Sequence, residues 1–167
     1  MKYWEGQLYK IIHEAEERAW KQAMTTKPKL VSYQSFKKKL ELENYLISEK
    51  EKTGRYLLTS LRVGTNKLRI ETGRWKRPIE RREERVCTQC NTGNVEDEKH
   101  FLLECPRYEQ LRTQMFQALL ASTGTHLEAL PINEQWKFVM EAEMKPGQKS
   151  DTVKRYVRRA MQQREVE

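Results

Sequence analysis

Apolar residues recur at three- and four-residue steps along most of the chain, and this spacing predicts helices. Trp4, Leu8, Ile11, Ile12, Ala15, Ala19, Trp20 and Ala23 share one face of a first helix, which Pro28 ends or follows. Leu30, Tyr33, Phe36 and Leu40 mark a second, shorter run, and Leu42, Tyr45, Leu46 and Ile47 continue apolar without a clean period. Tyr56, Leu57, Leu58 and Leu61 predict a third helix, stopped by Gly64-Thr65-Asn66, and Gly73 and Pro78 mark loops around a basic stretch. Residues 86–105 read as loop and hold every cysteine. Tyr108, Leu111, Met115, Leu119 and Leu120 share a face of the next helix, which Gly124 closes. Asn133 is the expected N-cap of a helix carrying Trp136, Phe138, Val139 and Met140, broken by Pro146-Gly147. Ser150 or Asp151 caps a last helix, Val153 to Gln163, rich in Lys and Arg. Trp4, Trp20 and Trp136, at helical spacing, read as core or helix-contact residues. The expected fold is mostly α, a helical domain around one small knot. It divides into an N-terminal helical region (1–62), a basic segment with the knot (63–112) and C-terminal helices (113–167).

Composition narrows the class. The chain has 167 residues, enough for one domain or a domain with a helical extension. Four Trp, seven Tyr and four Phe are too many aromatics for a disordered tail. No apolar run is long enough to span a membrane, and Met1-Lys2-Tyr3-Trp4-Glu5 lacks the apolar core of a signal peptide. An intracellular protein, nuclear or cytoplasmic, is expected. The net charge of +8 is uneven. Residues 50–90 carry twelve basic against five acidic side chains, whereas 91–144 carry four against nine. The chain has only two aspartates, Asp97 and Asp151. Polymerases and many nucleases hold two metal ions with clustered carboxylates, and so few Asp make such a site hard to build.

The three cysteines point to a metal. Cys87, Cys90, His100 and Cys105 form the pattern C-x2-C-x9-H-x4-C. Two thiolates two residues apart form half of a zinc site, and His100 with Cys105 can supply the other half from a turn. Four such ligands with no open position describe a closed, tetrahedral, structural zinc. Gly93 lies where the loop must turn back, and Phe101, Leu102 and Leu103 are expected to pack the knot on the helices. A redox CxxC pair would leave Cys105 without a role and lacks a βαβ context. His13, beside Ile12, reads as a solvent or packing residue, and His126 as incidental.

The run from Arg62 to Trp75, containing Ile70-Glu71-Thr72-Gly73-Arg74-Trp75, resembles the stretch before the CCHC zinc motif in reverse transcriptases of non-LTR (LINE-type) retrotransposons. Glu83 to Cys90 and Val95 to Tyr108, followed by Leu111-Arg112, are similar to the motif itself, and Ser32 to Lys37 with Glu43 to Leu46 to its helical lead-in. The resemblance covers residues 30–115. It implies a zinc-binding C-terminal module that grips RNA or target DNA beside the polymerase portion of a retroelement protein, either excised from it or freestanding. No YADD- or FADD-like polymerase motif and no PD…D nuclease motif is present, so binding without catalysis is expected. Asp97-Glu98-Lys99 resembles the end of a D/ExK nuclease signature but lies inside the zinc loop with no upstream Asp partner.

The expected nucleic-acid contacts are Arg55, Arg62, Lys67, Arg69, Arg74, Trp75, Lys76 and Arg77, because phosphates need cations in register and an aromatic plane can stack an unpaired base. Glu80, Glu83 and Glu84 neutralise part of this charge locally, which favours Arg74, Lys76 and Arg77 over Arg81, Arg82 and Arg85. Lys154, Arg155, Arg158 and Arg159 either extend that surface or, the favoured reading, form a solvated helix face. The alternative is a protein–protein adaptor, its zinc purely structural and helices 3–24 and 132–142 docking on partner helices.

Overall fold

The computed structural model describes residues 2–47, 51–140 and 148–165. Its helices are α1 (Lys2–Thr26), α2 (Val31–Phe36), α3 (Asn44–Ile47), α4 (Lys52–Arg62), α5 (Arg69–Thr72), α6 (Glu109–Thr123), α7 (Ile132–Met140) and α8 (Gln148–Glu165). Among the described residues no strand forms, and the only β pairing is one antiparallel bridge, Val86 with Val95. The chain is mostly α, as its periodicity requires.

Helix ends follow local chemistry. Gly124, at φ +70°, closes α6 by donating to the Leu120 carbonyl. Gly64, at φ +65°, stops the chain after α4. The second run ends at Phe36, short of Leu40, because the Lys37 backbone is extended. Asn133 does not cap α7, which starts one residue earlier; its side-chain oxygen instead accepts from Lys99 Nζ at 2.8 Å. The last helix begins at Gln148, before both expected caps, and Asp151 pairs with Lys154 at 2.7 Å. The break expected at Pro146-Gly147 lies outside the described residues.

The core gathers on α8. Helices α4 and α6 both pack against it, and Val153, Tyr156, Val157, Ala160 and Met161 are buried along it. One hydrophobic cluster joins Phe36, Leu58 and Leu61 to Phe101, Tyr108, Leu119, Val139 and Val157, so it takes residues from all three sequence segments. Trp136 is buried, edge-on to Phe36, and donates to Ser35 Oγ at 3.0 Å. Lys154, expected on a solvated face, is fully buried beside Asp151, and Arg155 and Arg158 turn to Glu51.

Gly54 sets how closely α4 approaches α8. A Cβ on it would lie 2.3 Å from the Lys154 carbonyl oxygen, which is backbone and cannot swing aside. Alanine would gain about 1 kcal/mol of helix propensity. Overpacking costs about 1–3 kcal/mol, and an approach this short belongs at the upper end. Gly54→Ala is therefore expected to destabilise by roughly 1–2 kcal/mol, read as a lower urea midpoint at unchanged m-value.

Helix α1 departs from expectation. Every side chain from Trp4 to Glu16 is exposed, and Trp4 is 76% exposed rather than in the core. Trp20 is half-buried, Met24 is buried, and α1 meets α2 through this C-terminal end. Periodicity tells which residues share a face, but not whether anything lies opposite.

Candidate metal centre

The cysteine segment is positioned from both sides. The Cys87 amide donates to the Asn94 carbonyl at 2.8 Å and the Glu96 amide to the Arg85 carbonyl at 2.9 Å, so 85–87 runs against 94–96. Gly93, at φ +72°, turns the chain between them. Asp97 starts the next turn: its carboxylate accepts from the His100 amide at 3.0 Å and its carbonyl from the Phe101 amide. Asp97 thus serves as a turn-former, and its carboxylate also takes Arg82 at 2.7 Å.

His100–Glu104 is a π-helical turn, closed by the Cys105 amide on the His100 carbonyl at 2.7 Å. In an α-helix a step of five residues overshoots a full turn by about 140°. The wider π turn cuts that overshoot by more than half and brings Cys105 back toward His100. Pro106 prevents the α ladder from continuing, and Phe101, Leu102 and Leu103 are buried behind the turn. The Tyr156 hydroxyl donates to the Leu102 carbonyl at 2.8 Å, tying the turn to α8.

Cys87, Cys90, His100 and Cys105 converge there, their donor atoms all within 4.8 Å of one another. Cys87 Sγ lies 3.9 Å from Cys105 Sγ, and Cys90 Sγ 3.4 Å from His100 Nε2. This Cys3His cluster could hold a metal ion. Burial pushes the Cys87 thiol up to about 12, with Cys105 adding to the effect, and burial also raises Cys105. At Cys90 burial opposes ionisation too, but hydrogen bonds from the Thr92 hydroxyl and amide and from His100 outweigh it, bringing the thiol down to about 6. Crowded thiols resist becoming thiolates together, and a divalent cation among them reverses that resistance.

The surroundings complete the site. His100 Nδ1 is buried without a hydrogen bond, and the Glu104 carboxylate sits 3.7 Å from it. At that distance the contact is electrostatic rather than a hydrogen bond; it favours the proton on Nδ1 and leaves Nε2 for a metal. Glu96, fully buried, accepts both Arg164 nitrogens at 3.0 Å and the Arg69 amide at 2.8 Å, while its Oε1 lies 3.9 Å from Cys87 Sγ. Sequence reasoning missed Glu96, Glu104 and Arg164. Arg164 is 68 residues from Glu96, and no spacing rule links them.

The basic set separates into two kinds. Arg62 is buried, its guanidinium on Glu43 and the Met140 carbonyl and stacked over Phe36 and Tyr45. Expected at a phosphate surface, it instead has no route to one, because its charge found a carboxylate inside the core. Arg69 is mostly covered and grips Glu80, and Arg85 is buried on the carbonyls of Ile70 and Glu80. Arg55 reaches the Leu46 carbonyl. Lys67 is exposed and meets Glu165 in a surface pair of little weight. Arg74, Trp75, Lys76 and Arg77 follow one another along a short turn and the loop after it. Arg74 meets Glu71 and Lys76 meets Glu80, the neutralisation expected to fall mainly on Arg81, Arg82 and Arg85. Trp75 is 73% exposed and Arg77 is exposed. Compared with protein-family models, curated proteins and solved structures, the chain matches none.

Proposed function

We propose that the protein is a nucleic-acid-binding module stapled by one structural zinc ion, without catalysis of its own. A tetrahedral site with Zn–S bonds near 2.3 Å has S···S edges of about 3.8 Å and S···N edges of about 3.5 Å. The 3.9 Å and 3.4 Å separations are close to two of those edges, with all four donors within 4.8 Å, and this supports zinc. All four positions are filled by protein, so the ion's contribution is structural.

The observation that carries the binding reading is how the exposed cationic loop is mounted. Arg85, two residues before Cys87, donates to the carbonyls of Ile70 and Glu80, at either end of the turn and loop bearing Arg74, Lys76 and Arg77. The knot and the loop are thereby tied together, and the loop presents Arg77 to solvent while Arg74 and Lys76 sit beside Glu71 and Glu80, which supports a phosphate-binding role. The similarity to non-LTR reverse transcriptase C-terminal regions supports the same reading and implies RNA or target DNA as ligand beside a polymerase portion. The adaptor alternative draws on the exposed apolar face of α1, Leu8, Ile11 and Ile12.

Fluorescence anisotropy with labelled RNA and DNA across a salt series tests the proposal. Affinity is expected to fall as salt rises, and Arg77→Ala to flatten the log–log slope by about 0.7–0.9 for each phosphate the variant leaves unneutralised. Undetectable binding at low salt, or binding indifferent to salt, favours the adaptor.

A further inference from the structure

Resting on the nucleic-acid reading above, we infer that the ligand is single-stranded, with Trp75 stacking on an unpaired base next to Arg74, which lines a cleft. Three features converge. The Trp75 indole is 73% exposed on the same short turn as Arg74, and Ile79 further along the loop is 62% exposed. Phosphate contact alone makes no use of such apolar surface, whereas a splayed base has a π-face that does.

Arg74 also lines a cleft of about 520 Å³ that opens between the start of α2 and the turn after α5. That volume lies within the range of small-ligand sites, so it can accept a nucleotide-sized group. Its wall carries Lys29, Arg74, Arg82 and Arg85 with Glu71 and Glu98; Arg74 is paired with Glu71, Arg82 with Asp97, and Arg85 donates to carbonyls. Gly64 packs on the Lys29 backbone, where a Cβ would come within 2.7 Å of the carbonyl oxygen, so the rim is set by backbone rather than by mobile side chains.

The secondary structure argues against a duplex. Reading a major groove takes a helix or a two-stranded ribbon, and the cationic residues here lie on a three-residue turn and a loop. A loop with an exposed indole suits a flexible strand whose bases can turn outward.

Anisotropy titrations with oligo-dT and oligo-rU of about twelve nucleotides, and with a duplex of equal length, test this in the zinc-loaded chain. The single strands are expected to bind more tightly than the duplex at the same salt. Trp75→Ala is expected to weaken single-strand binding about tenfold or more while leaving the salt slope unchanged, since stacking releases no counterions. Trp75→Phe should restore most of the affinity, and both variants should melt with the parent because the side chain is exposed. Equal affinity for duplex and single strand, or Trp75→Ala binding like the parent, overturns the inference while leaving the nucleic-acid reading intact. Binding of no nucleic acid overturns both.

Discussion

On the proposed structural zinc, stripping the metal from the purified protein, or replacing Cys105 with serine, is expected to abolish its cooperative thermal transition. Cys105 is fully buried between the π turn and the short turn Pro106–Tyr108 that leads into α6. Its carbonyl accepts from Arg112 at 3.1 Å, and its Sγ is one of the four donors. Phe101 and Tyr108 pack edge to face on either side of it in sequence, at 4.9 Å. Without the ion, three thiols and an imidazole would remain crowded within 4.8 Å of one another, held only by the hydrogen bonds of the surrounding turns. Structural zinc contributes about 10–16 kcal/mol in small zinc domains. Domains of this size have a total stability of about 5–15 kcal/mol, so removing the ion matches or exceeds what is available. Circular dichroism melts with and without a strong chelator check this, alongside metal analysis expected to return one zinc per chain. Well under one equivalent, or a chelated protein melting with the native one, contradicts a structural zinc. Glu104→Gln should keep the fold and lower metal affinity by less than about tenfold, because the carboxylate stands 3.7 Å from His100 Nδ1 without a hydrogen bond.

Arg62→Ala is expected to cost about 3–5 kcal/mol, the second-largest effect. Arg62 is 2% exposed and Glu43 is 6% exposed. Truncating the guanidinium leaves Glu43 with Lys37 alone, at 3.0 Å, and leaves the Met140 carbonyl without its donor. It also removes the cation from above Phe36, 4.4 Å from the ring centroid, and Tyr45, 4.9 Å away. Denaturant unfolding measures the destabilisation. The same variant, assayed at a temperature where it stays folded, is expected to bind nucleic acid with the parent's affinity and salt slope. A drop in affinity with unchanged stability would return Arg62 to the binding surface.

The candidate site was largely legible in the sequence because metal ligands obey short-range spacing. C-x2-C and H-x4-C each sit in one local turn, so the cluster could be read without knowing the fold. The π turn that makes the second spacing work could not, since it depends on Pro106 behind it and on Tyr156 of α8 holding the Leu102 carbonyl. The fate of the arginines was equally hidden. Arg62 and Arg77 look alike in a basic stretch, yet one is in the core and the other in solvent.

The sequence by itself determined what depends on neighbours along the chain: the helical class, the glycine that closes α6, the four members of the Cys3His cluster and the uneven charge. Tertiary structure alone decided which charges are paired internally, which apolar faces are covered and which carboxylates frame the ligands. Glu43 meets Arg62 across 19 residues, and Glu96 meets Arg164 across 68. Leu8 and Ile11 stay exposed although they repeat as regularly as the buried Met115 and Leu119. The reason is physical. Helix periodicity and ligand spacing follow from backbone geometry over a few residues, whereas burial and ion pairing follow from which distant segment arrives opposite.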